Sequence, residues 1–183
     1  MEAPAELSRL RDELLAARER REEALARARS LPAVVGGEGA FLQLGTSIPG
    51  PYKCRPPLRP LLRRGLDRLL HDPRPSGDPV RHRLLEEGED LLGPFCLVWL
   101  AADPAEVKRC AVAVEEELPG GRLLDVDVYE VSGRRLGRAE LGLPPRGCLV
   151  CSLAAHECMR RGQHGPDELE VAVARILEGI PRD

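Results

Sequence analysis

FCLVWLAADPAEVKRCAVAVEEELPGGRLLDVDVYEV, residues 95–131, is the stretch from which the fold can be read. It opens with an unbroken apolar run, Phe95 to Ala102, which has the length of a strand. Asp103-Pro104-Ala105-Glu106 follows, supplying an N-cap acceptor, a proline at the first helical position and an acid in the first turn, so a helix is predicted to start there. Pro119-Gly120-Gly121 stops that helix after Leu118. From Leu123 to Val131 apolar and acidic residues alternate, and the chain returns to a strand. Strand, helix and strand in succession predict an α+β protein whose mixed sheet is flanked by helices.

Working outward, Leu7, Leu10, Leu14, Ala17, Ala24, Ala28 and Leu31 fall at helical spacings and predict an amphipathic N-terminal helix within residues 1–31, its charged face solvated. Ala40 to Leu44 reads as a short strand that runs into a Gly- and Pro-rich loop ending at Lys53. Leu58, Leu61, Leu62, Leu66, Leu69 and Leu70 mark a second helix, and Asp72 to Pro79 is a cluster of breakers expected to be a flexible connection. Beyond Pro144-Pro145 lies a cysteine-rich loop, and Pro166 to Glu178 predicts a closing helix.

Composition bounds the function. A chain of 183 residues is a single domain of ordinary size, and a net charge of -3 argues against nucleic acid as the main ligand. Aromatic residues make up only 3%, too few for a base-stacking platform. The longest apolar run falls far short of the roughly 18 residues that span a bilayer, and no basic segment precedes an apolar one near the N-terminus, so a cytosolic location is expected. Six cysteines in that compartment read as thiols or metal ligands.

Three constellations could carry chemistry. Asp125 and Asp127 lie two apart on a strand, so both carboxylates face one side of the sheet. Such a pair suits Mg²⁺ gripping a substrate phosphate, although a solvated edge strand could show the same two acids. Gly120-Gly121-Arg122 precedes them, offering backbone amides and a planar guanidinium to phosphate. Pro49-Gly50-Pro51-Tyr52-Lys53 is a stiff turn presenting one of only two lysines as a fixed charge for a polyphosphate. Cys148, Cys151, Cys158 and His164 form a Cys₃His set within one loop, the donor set of a closed structural zinc site, with a redox pair at Cys148 and Cys151 as the other reading.

In this order the three constellations resemble the apo-citrate lyase phosphoribosyl-dephospho-CoA transferases, also called citrate lyase holo-acyl-carrier-protein synthases. The resemblance rests on Pro49-Gly50-Pro51-Tyr52-Lys53, Gly121 to Val128, Leu143 to Cys151, and Cys158 to His164, with an arginine-rich N-terminal helix besides. It implies a nucleotidyltransferase that moves the prosthetic group of 2′-(5″-triphosphoribosyl)-3′-dephospho-CoA onto a serine of the acyl-carrier (gamma) subunit of citrate lyase, releasing pyrophosphate. In that reading residues 1–31 are the N-terminal helix, 40–131 a nucleotide-binding core and 144–183 a Cys/His-rich loop with a closing helix, all one transferase domain. Asp125, Asp127 and Arg122 are then catalytic, the two acids on Mg²⁺. Lys53, Gly50, Gly120, Gly121 and Arg146 bind substrate, and the nucleotidyltransferase fold serves as the analogy. A third metal carboxylate is unassigned, with Glu115 a candidate. Arg55, Arg59, Arg63, Arg64 and Arg68 gather around one helix as a basic patch for an acidic carrier. The alternatives are the same chemistry on another carrier, such as that of malonate decarboxylase, and a zinc-stabilised adaptor without catalysis.

Overall fold

The computed structural model describes residues 3–31, 38–49, 58–71 and 80–181. In chain order the elements are α1 (Ala3–Arg29), β1 (Ala40–Thr46), α2 (Leu58–His71), β2 (His82–Asp90), β3 (Gly93–Leu100), α3 (Pro104–Glu117), β4 (Leu124–Glu130), β5 (Arg135–Leu136), α4 (Ala155–Arg161) and α5 (Pro166–Glu178). The strands form one sheet in the order β2-β3-β1-β4-β5. The expected α+β class is what the chain adopts. The sheet itself is antiparallel at every pairing, not mixed. The reason lies in the connection through α3: β3 and β4 do run the same way, but β1 lies between them and opposes both. The unit is a split β-α-β.

Alternation along the strands separates two cores. Leu42 and Leu44 of β1, Val98 and Leu100 of β3, and Leu124, Val126 and Val128 of β4 face Leu58, Leu61 and Leu69 of α2, Val107, Ala111 and Val114 of α3, and Val173 of α5. On the opposite face Phe41 and Leu97 meet Ala24, Leu25 and Ala28 of α1, with Trp99 and Tyr129 beside them. Only the second half of α1 is seated in this way. Leu10 is 42% exposed, so the apolar stripe read from sequence begins to bury at Ala17. The seat is fixed by a charge: Arg21 donates to both oxygens of Asp90 at 2.6 and 2.9 Å and to the Gly93 carbonyl at 2.8 Å, and its guanidinium lies 4.2 Å above the Phe95 ring.

The helix that was legible from its start signals has the expected cap. The Asp103 carboxylate accepts the Glu106 amide at 2.9 Å, with Pro104 in the first turn. It also ends where Pro119-Gly120-Gly121 predicted. Gly120 takes φ 84°, and a Cβ on Gly121 would lie 2.2 Å from the Val114 carbonyl oxygen, so this turn admits only glycine. Two of the arginines expected to form a basic patch on α2 face acids on β2, Arg59 at 3.1 Å from Glu89 and Arg63 at 3.6 Å from Glu87, while Arg64 donates to the Pro181 carbonyl at 2.7 Å. Arg55 and the breaker cluster at 72–79 lie outside the described residues.

Candidate active site

β4 divides its side chains cleanly: Leu124, Val126 and Val128 enter the core, while Asp125, Asp127 and Tyr129 turn to the other face. In register with them on β1 stand Gly45, Gln43 and Phe41. α1 covers the Phe41 and Tyr129 end of that face and leaves the Asp125 and Asp127 end open. A cleft of about 870 Å³ results, walled by α1, the sheet and the chain beyond residue 145. Arg18, Arg21, Arg122, Arg135 and Arg146 line it against Glu22, Asp125 and Asp127, so its lining carries more positive charge than negative. Arg135 reaches Asp127 at 3.1 Å and Arg146 reaches Asp125 at 3.4 Å.

The two carboxylates are held by an unusual repair of the sheet edge. β5 pairs with β4 only at Val128 and Tyr129, so the outer backbone groups of β4 before them have no strand partner. Side chains take that role. The Val126 amide donates to Glu115 Oε1 at 2.9 Å, and the Val126 carbonyl accepts from Lys108 Nζ at 2.8 Å. Arg146 donates to the carbonyls of Leu124 at 2.6 Å and Arg122 at 2.7 Å. Val126 is the residue between the two acids, so α3 grips the peptide from which they project. Glu115 is 4% exposed and its second oxygen accepts from Arg138 at 2.5 Å. Glu115, the candidate third metal carboxylate, therefore already has both oxygens engaged, one on β4 and one on Arg138.

Electrostatics follow from this crowding. The Asp125 carboxyl is raised above its ordinary 3.8, first by desolvation and then by the like charge of Asp127, against the pull of Arg146, Lys108 and Arg135. Its side chain is 55% exposed, so the desolvation comes from the cleft walls and not from close packing. Burial also lowers Lys108, with Glu115 opposing that shift, and it lowers Arg122, which has Arg146 and Arg138 as positive neighbours. A guanidinium depressed by burial and by positive neighbours, as Arg122 is, favours an anion beside it.

Beside the carboxylates, Cys148, Cys151, Cys158 and His164 bring one ligand atom each within 4.8 Å of all the others. Cys151 Sγ lies 3.4 Å from Cys158 Sγ and 3.3 Å from His164 Nε2, and Cys158 Sγ lies 3.8 Å from the same nitrogen. The described cysteines are free thiols. A backbone hydrogen bond at Leu153, then His164 and Cys158, pull the Cys151 thiol down to about 7, while burial pushes Cys158 up. Among the described residues this is the only group of three or more acidic, Cys or His side chains placed to hold a metal ion.

Of the residues singled out in the sequence, Asp125, Asp127, Arg122, Arg146, Cys148, Cys158 and His164 line one cleft, with Cys151 behind it in the same Cys/His set. Gly120 and Gly121 are not brought there. A Cβ on Gly120 would meet Leu61 and Ile180, and the Gly121 amide donates to Leu118 at 2.7 Å, so the turn and not a phosphate accounts for both. Gly50 and Lys53 lie outside the described residues. The sequence reading missed Arg135 and Lys108, although a lysine is rare enough in this chain to have drawn notice to Lys108.

A cleft built this way suits a transferase acting on an anionic substrate. The family model described as apo-citrate lyase phosphoribosyl-dephospho-CoA transferase matches residues 10–180, and the chain belongs to that family of enzymes. A Streptococcus pyogenes serotype M18 protein named probable apo-citrate lyase phosphoribosyl-dephospho-CoA transferase is 30% identical over 149 residues, covering 78% of this chain and 74% of the relative. The Citrobacter koseri protein named as that transferase is 30% identical over 129 residues, 70% of this chain and 69% of its own length. An Escherichia coli O139:H28 protein of the same name is 33% identical over 88 residues, 48% of each chain. Among the described residues no helix is long and apolar enough to cross a membrane.

Proposed function

We propose that the chain transfers the phosphoribosyl-dephospho-CoA group of 2′-(5″-triphosphoribosyl)-3′-dephospho-CoA to a serine of the apo acyl-carrier subunit of citrate lyase, in the cytosol, with release of pyrophosphate. The observation that carries this reading is the meeting, in one cleft, of two carboxylates from β4 with arginines from three separate segments: Arg122, Arg135 and Arg146. Phosphoryl-group transfer asks a protein mainly for positioning and for neutralisation of oxygens. Arg122 and Arg146 neutralise the triphosphate in this reading, with Lys53 and Gly50 assigned to substrate binding by the motif alone. The serine oxygen bonds to the innermost phosphorus as the bond to pyrophosphate breaks.

Two metals fit the residues present. Asp125 and Asp127 offer hard oxygens to an open cleft from one face of β4, so these two would hold Mg²⁺, which would supply charge neutralisation to the departing pyrophosphate. Cys148, Cys151, Cys158 and His164 would hold zinc, four protein ligands that leave no position for water. The test is the intact mass of apo carrier after incubation with this enzyme, the triphosphoribosyl donor and Mg²⁺. A gain equal to the donor less pyrophosphate is expected for the citrate lyase carrier and not for that of malonate decarboxylase. An unchanged citrate lyase carrier contradicts the assignment.

A further inference from the structure

Residues 144–165 form an arm with one buried residue, and that residue is a cysteine, Cys158. Leu149 packs partly buried against the main core, but so little apolar burial does not offset the entropy of ordering such a segment. Its turns are nevertheless defined: Cys148 N donates to the Leu153 carbonyl and Ala155 N to the Arg146 carbonyl, each at 2.8 Å. What lies where its core should be is the Cys₃His set. Zinc–sulfur bonds of about 2.3 Å place ligand atoms about 3.8 Å apart at the corners of a tetrahedron, and a disulfide needs about 2.05 Å. Among Cys151, Cys158 and His164 the separations are 3.3, 3.4 and 3.8 Å, those of ligands around an ion, and the Cys148 sulfur lies within 4.8 Å of all three. The surroundings agree. The Val150 amide donates to Cys148 Sγ at 3.4 Å, and His164 turns Nε2 to the thiols.

The root of the arm is also the wall of the cleft. Arg146 stands two residues before Cys148 and donates to the carbonyls of Arg122 and Leu124, and Arg122 returns a guanidinium hydrogen bond to the Gly147 carbonyl. We propose that one Zn²⁺ bound by Cys148, Cys151, Cys158 and His164 is the core of this arm and thereby holds Arg146 and Arg122 in the cleft as positioned anion ligands. The second half rests on the reading of that cleft as a pyrophosphate site.

The test uses the full chain under reducing conditions, with Zn²⁺ alone and inorganic pyrophosphate as probes. Native mass spectrometry is expected to show one zinc per chain. Removing it with a chelator is expected to raise hydrogen exchange across 146–164 about tenfold or more while the sheet stays protected. The pyrophosphate Kd is expected to weaken about tenfold, the worth of one charge-assisted contact. Adding Zn²⁺ back reverses both. If Cys151→Ser fails to fold, His164→Gln, which removes one of the four ligands, reads out the same site, with zinc affinity falling by at least the roughly 10-fold to 100-fold that loss of an outer-shell partner costs. A metal-free protein with a protected arm, or unchanged exchange after zinc removal, overturns the zinc core. Unchanged pyrophosphate affinity in zinc-free protein overturns its positioning role. Zinc-loaded protein that binds no pyrophosphate overturns the cleft reading, a failure separate from that of the zinc, which stoichiometry and exchange decide.

Discussion

Lys108 and Glu115 show how two buried charges can serve a sheet. Their partners are the two polar groups of one residue, Val126, and what they replace is the neighbouring strand that β5 is too short to supply. Lys108→Met removes the donor to the Val126 carbonyl and is expected to cost about 1–3 kcal/mol in chemical denaturation. Glu115→Ala also leaves the Val126 amide unsatisfied and Arg138 without this partner, for about 3 kcal/mol or more. Because the two charges are opposite, the double variant Lys108→Met, Glu115→Ala is expected to lose less than the single losses combined. Asp125 behaves in the opposite sense. Its folded-state pKa lies above the unfolded value, so its contribution to stability is fully present below pH 3.8 and is lost as pH rises through the raised value. In metal-free buffer Asp125→Asn is therefore expected to melt above the wild type at pH 7, with the difference closing in acid. A variant that melts lower at pH 7 contradicts the cost assigned to desolvating this charge beside Asp127.

Elements were legible where their own residues signalled them and obscure where tertiary partners decided. β3, α3 and β4 follow from an apolar run, a cap and an alternation, all local. β2 was invisible because Glu86, Glu87 and Glu89 are poor strand residues. Its place is made by pairing to β3 and by Arg27, Arg63 and Arg59 across from those acids. β5 is two residues long and α4 lies in what read as loop. The charged face of the N-terminal helix was expected to be solvated, yet Arg21 is buried and ties the helix to the β2–β3 turn. Arg21→Ala is expected to cost about 3 kcal/mol, since it removes the bidentate partner of Asp90 from a buried site. Hydrogen exchange should then rise along α1 before it rises in α3. Equal protection of α1 in the variant contradicts the anchoring role.

At the scale of the whole molecule the site was half readable. Carboxylates two apart on a strand and a Cys₃His spacing are patterns within short segments, so Asp125, Asp127, Cys148, Cys151, Cys158 and His164 could be named beforehand. Arg135, Lys108 and the occupation of Glu115 belong to the sheet edge, where the partners are backbone groups distant in sequence and no spacing announces them. The same limit misdirected Gly120 and Gly121, whose glycine signal was real but served the turn beneath Val114. The central claim is that the Asp125 and Asp127 pair, with the arginines around it, drives transfer of the prosthetic group. Its most direct test is the rate at which Asp125→Asn loads apo carrier in Mg²⁺, followed by intact mass at enzyme in excess. Folding retained with loading slowed on the order of 10²-fold or more is expected, and adding Asp127→Asn should slow it little further. Loading at the wild-type rate by Asp125→Asn would contradict the account.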